Sequence, residues 1–112
     1  MATKVTSATS IADQILAQAA RAGGSTWQSI KKSAPIYVRG YAQNLADIAA
    51  GVASKQIPKS DAKMYVQNAH LMLVMGIANT SQIVLYEVQT FIDGVINVLK
   101  GAINAKLPVA IL

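Results

Sequence analysis

The chain has 112 residues and no cysteine, enough length for one hydrophobic core and no means of forming a disulfide or a thiolate site. Charged residues make up 13% and the hydrophobic class 53%, against about 25% charged in an ordinary soluble domain. The net charge of +5 is uneven: residues 1–63 carry eight Lys/Arg and three acids, and residues 64–112 carry two of each.

A lone domain of this size exposes much surface for its volume and normally covers it with charge. The deficit points to surface hidden in a partner, a polymer or a lipid phase. The competing reading is that Ala, Asn, Gln, Ser and Thr cover the outside. Residues 1–10 hold one Lys and no apolar run, so a secretory signal is not expected and the default compartment is the cytoplasm.

Residues 1–10 are small and polar and read as a flexible arm ahead of a single helical domain, 11–112. Ser10 followed by Asp13 resembles a capping box and opens a helix over 11–22, with Ile11, Ile15, Ala19 and Ala22 on one face. Gly23 and Gly24 stop it. Ser25 or Thr26 caps a second start at Trp27 and Ile30, and Pro35 then interrupts. Either the helix kinks there, or a short turn hands over to a new helix with Pro35 near its start. Trp27 and Ala34 share the seam of Val38, Tyr41, Leu45, Ile48 and Val52, which favours one kinked element ending near Ser54. Residues 55–59 form the main turn, and Ser60 caps the next helix with Asp61 in its first turn.

From there nothing compels a stop before Leu107. Leu71, Val74, Ala78, Ser81, Leu85, Val88, Ile92, Val95, Leu99 and Ala102 hold one heptad phase. Gly76 and residues 79–82 are weak helix formers, and Asn79 could cap a new helix. The unbroken phase favours a single C-terminal helix of ~45 residues, spanning roughly 65–70 Å. The helix over 27–54 would reach only about 40 Å, so the uncovered length is a second argument for a partner. Pro108 ends the helix, and the apolar residues 109–112 are expected to contact a neighbouring copy.

The chemistry-bearing residues are few. His70 is the sole histidine, and a metal site needs three or four ligands. The five carboxylates are scattered and offer no acid/base pair. No hydroxyl forms a nucleophile motif with His70, and Gly23-Gly24 is not a phosphate loop. No enzymatic activity, metal or cofactor is therefore expected. Residues 64–86 carry no formal charge, long enough on paper to cross a bilayer, but seven polar side chains there disfavour a membrane partner. Small residues recur at sevens (Ala62, Ala69, Gly76, then Gly94 and Gly101) and would let another helix approach closely. Arg21, Lys31, Lys32 and Arg39, interleaved with Trp27, Tyr37 and Tyr41, are the candidate polyanion contact. They are sparse for a nucleic-acid stripe, and nucleic acid is not the favoured partner.

The sequence therefore predicts an all-α fold, a long helical hairpin or bundle completed by oligomerisation into a homo-oligomer or polymer. Its function reads as a non-catalytic, self-associating structural subunit. The predicted interface is Leu71, Val74, Ala78, Leu85, Val88, Ile92, Val95, Leu99, Val109, Ile111 and Leu112. The alternatives are a nucleic-acid- or membrane-binding module using the basic first half, and a small bundle with an apolar ligand pocket near His70, Met72 and Met75.

Overall fold

Apolar residues four apart, Ile11, Ile15 and Ala19, build the buried face of the first helix, α1 (Ser7–Ala22). The computed structural model describes residues 7–112. Helix α1 is already formed at Ser7, so Ser10 lies within it and does not cap it; the expected arm at residues 1–6 falls outside the described residues. Gly23 ends α1 at φ 62°, ψ −149°, a backbone state essentially reserved for glycine. Its N–H still reaches the Ala19 carbonyl at 3.0 Å.

The kinked element expected across Pro35 is instead two helices, α2 (Gly24–Ile30) and α3 (Ala34–Ala53), separated by a turn. Ser33 closes the turn, donating both its N–H (3.0 Å) and its hydroxyl (3.3 Å) to the Ile30 carbonyl. Pro35 sits in the first turn of α3, where its missing N–H leaves no bond unmade. Helix α3 ends with Lys55 in the left-handed region, φ 66°. The Gln56 and Ile57 N–H groups both reach back to the Gly51 carbonyl, at 2.9 and 3.0 Å. The Ile57 side chain lies where a Cβ on residue 51 would be, folding the turn onto the helix. Ser60 falls in a short 3-10 turn, Lys59–Asp61, and it is Asp61 that directly precedes α4 (Ala62–Ser81).

The ~45-residue helix is not formed. Helix α4 stops at Ser81, Gln82 turns left-handed (φ 56°, ψ 36°), and α5 (Leu85–Ala105) begins three residues later. The Gln82 and Ile83 N–H groups cap the Ala78 carbonyl. Ser81 is pinned to Ser33 by a 2.8 Å hydroxyl pair, which ties the end of α4 to the turn before α3. The heptad phase survives in sequence because each helix needs its own buried stripe. A three-residue connection preserves the spacing while reversing the direction. Asn79 lies inside α4 and caps nothing.

Helix α3 packs against α1 and α4, and α5 packs against the same two, while α2 bridges their ends. The result measures 41 × 37 × 21 Å, about two helices thick. Its core joins Ile11 and Ile15 to Ile30, Val38, Leu45, Leu73, Ile77, Val88, Ile92 and Ile103, all buried. Gly76 lets α4 sit on the ring of Tyr37, whose hydroxyl lies 2.7 Å from the Thr80 hydroxyl. Among the described residues no helix is long and apolar enough to cross a membrane.

Residues 109–112 fold back onto their own subunit, not outward as expected. The Asn104 side chain accepts hydrogen bonds from the Ile111 and Leu112 N–H groups (3.1 and 3.0 Å) and donates one to the Leu112 carbonyl (3.1 Å). Val109, Ile111 and Leu112 pack half-buried against the core. The expectation of a neighbour rested on helices too short to roof a long partner. With α5 only 21 residues long, that shortage disappears.

Candidate binding groove and apolar helix face

Two surface features converge on α4. The first is its outward face. Ala62, Ala69, Leu73, Val74, Ile77 and Ala78 are buried, which uses the apolar stripe an ordinary amphipathic helix possesses. Met64, Leu71 and Met75 nevertheless repeat at seven and four on the other side, flanked by Tyr65 and Met72. All five are exposed, Met72 at 66% and Leu71 at 52%. Val84, Leu85 and Tyr86 continue the exposed apolar surface past the end of the helix. No formal charge falls between residues 64 and 86.

The second feature is a groove of about 810 Å³ between α4 and α5, backed by Tyr41 of α3 and walled by Ile111 and Leu112. Val66, Leu71 and Val74 from α4 and Leu85 and Ile96 from α5 supply apolar lining; Lys63 and Lys100 supply its two lysines. His70 Nε2 donates to Asp93 Oδ1 across it at 2.7 Å. The Tyr41 ring stands edge-on to His70, with centroids 6.3 Å apart. Tyr41 is buried. That burial, and secondarily the nearby Asp93 carboxylate, push its hydroxyl up to about 12.

The His70–Asp93 pair was invisible to sequence reasoning. Twenty-three positions apart in the chain, the two would lie about 35 Å apart along one continuous helix. Only the reversal at Gln82 brings them together. A usable signal was their position on facing sides of two candidate helices, had a break at residue 82 been assumed. Among the described residues no group of three or more His, Cys, Asp or Glu could hold a metal ion.

The predicted interface residues separate into three groups. Val74, Ala78, Val88, Ile92 and Val95 are buried within the chain's own core, so the centre of the heptad seam is an internal contact. Leu99, Val109, Ile111 and Leu112 are half-buried against that core. Leu71 and Leu85 are exposed and line the groove, as do Val74, Ile111 and Leu112. Sequence periodicity missed the outward arc of Met64, Tyr65, Met72 and Met75, because it does not share the seam's phase.

Arg21, Lys31, Lys32 and Arg39 are all exposed. Arg21 leans on Gln18 (3.3 Å) and Lys31 on Gln28 (2.8 Å). Arg39 lines a shallow hollow between α1 and α3 that it shares with Asp13. Of the aromatics interleaved with them, Tyr41 is buried, the Tyr37 ring is held on Gly76, and Trp27 is half-buried against the core. No family model, curated protein or solved structure matches the chain.

Proposed function

We propose that the chain is a non-catalytic helical subunit that self-associates through the outward face of α4. One observation carries this reading: five large apolar side chains of α4, Met64, Tyr65, Leu71, Met72 and Met75, stay exposed on the side that the fold does not bury. Large apolar side chains clustered on an exposed face mark an interaction surface. A second copy of this chain suits the face better than a charged partner does. An isologous contact would set Met64, Tyr65, Leu71, Met72 and Met75 against their own equivalents, with no formal charge to desolvate. Methionine side chains repack readily, which suits a self-complementary surface.

Light scattering from micromolar to millimolar protein tests the reading. The expected mass exceeds the monomer's 11.8 kDa and rises with concentration. Met72→Glu/Met75→Glu should return it to the monomer value with helical circular dichroism intact. A mass that stays at the monomer value up to millimolar protein overturns the proposal.

A further inference from the structure

We infer that the α4–α5 groove binds a single-chain amphiphile with an anionic head, of the long-chain carboxylate class, its head held by Lys63 and Lys100. The volume of about 810 Å³ lies within the ~300–1,000 Å³ usual for small-molecule sites. The register of the hairpin sets both lysines of the lining on one side. Lys63 precedes His70 by seven residues and Lys100 follows Asp93 by seven. Seven residues are two helical turns, so each lysine shares its helix face with the paired residue. In an antiparallel hairpin cross-linked by His70 and Asp93, both lysines therefore fall on the same side of that cross-link, about 10 Å along the helices. On the other side lie Leu71, Val74 and Leu85.

The groove thus carries both its lysines towards one end, while apolar lining runs along its length, from Val66, Ile96, Ile111 and Leu112 on the lysine side to Leu71, Val74 and Leu85 beyond the cross-link. The only acid in its lining, Asp93, is engaged by His70. Neither lysine has an ion-pair or hydrogen-bond partner among the described residues. Two lysines without a counter-charge at one end of an apolar trough suit an anion. A polyanion would match the lysines but gain nothing from the apolar lining. A neutral lipid would match only the apolar lining. Ile111 and Leu112, anchored one turn beyond Lys100 by Asn104, form the wall beside the head.

The site overlaps the self-association face only at Leu71, since Met64, Tyr65, Met72 and Met75 do not line the groove. The test uses decanoate below its micelle concentration, with decanol and decyltrimethylammonium as neutral and cationic controls. It is run on the full chain and on Met72→Glu/Met75→Glu, so that failure of self-association and failure of this site are read independently. Titration calorimetry should show saturable decanoate binding, tightening by up to about fourfold per added methylene from octanoate to decanoate. Lys63→Glu/Lys100→Glu should weaken decanoate at least tenfold and leave decanol unchanged. Gly94 lines the groove, and a Cβ there meets nothing within 4 Å. Gly94→Phe should therefore fill the groove and abolish binding while the helical spectrum is kept. Equal affinity for decanoate and decanol overturns the inference, as does charge reversal without effect. So does binding that begins only at the micelle concentration. Groove resonances that move with protein concentration and not with decanoate would assign the groove to a second copy, and would equally overturn it.

Discussion

Replacing Asn104 by alanine removes three hydrogen bonds at once, all of them to the backbone of Ile111 and Leu112. Each is worth about 0.5–1.5 kcal/mol net, so the three supply roughly 3 kcal/mol. Half-burying Val109, Ile111 and Leu112 adds about 2–4 kcal/mol, taking half of the full side-chain value. Ordering four residues opposes this with about 4–8 kcal/mol. The two sides nearly balance, and the hydrogen bonds decide that residues 109–112 stay docked. In Asn104→Ala the segment should detach and thereby escape the penalty of unpaired buried amides. The loss of global stability is then capped at the small docking free energy, about 1–2 kcal/mol, and is less than the sum of the three bonds. Urea denaturation measures that loss, and amide exchange at Ile111 and Leu112 measures the detachment directly. Unchanged protection of those two amides in a fully folded variant would refute the reasoning, because the half-buried side chains alone would then be holding the segment.

Gly76→Ala places a Cβ against the Tyr37 ring, so overpacking of about 1–3 kcal/mol should exceed the ~1 kcal/mol gain in helix propensity. Thermal denaturation should show net destabilisation that largely disappears in a Tyr37→Ala background; the same loss in both backgrounds would remove Tyr37 as its cause. Tyr41 has its hydroxyl raised from 10.0 to about 12. The neutral form is therefore favoured in the fold, and its stabilisation is complete below pH 10 and lost as pH rises through about 12. That is about 3 kcal/mol by linkage. Denaturant midpoints followed through this window should fall less steeply in Tyr41→Phe than in the parent protein; parallel profiles would refute the assignment.

Much of the local structure is legible in the residues themselves. Ile11, Ile15 and Ala19, then Val38, Tyr41 and Leu45, then Val88, Ile92 and Val95 mark the buried stripes of α1, α3 and α5, and all nine are buried. Gly23-Gly24, Pro35 and Pro58 fall at or beside the ends of elements, because each acts on its own backbone regardless of what lies across the fold. The all-helical class follows from the same periodicities.

The break at Gln82 was not legible, and the groove depends on it. A non-glycine residue in the left-handed state is disfavoured by only about 1–2 kcal/mol, too little to leave a strong mark in sequence. Doubling the chain back sets Leu73, Val74 and Ile77 of α4 and Val88, Ile92 and Val95 of α5 into one core. Burying side chains of this size gains roughly 1.5–3 kcal/mol each, so the sum far outweighs the strain of one residue. Periodicity specifies which face of a helix is buried, but not whether the next turn continues along the same axis. By itself the sequence determined that these segments are helices and which stripe of α1, α3 and α5 turns inward. The tertiary structure alone decided that α4 and α5 are separate, that His70 meets Asp93, and that residues 109–112 return to their own subunit. These are long-range burial choices, and each overrides a local preference worth only a kcal/mol or two.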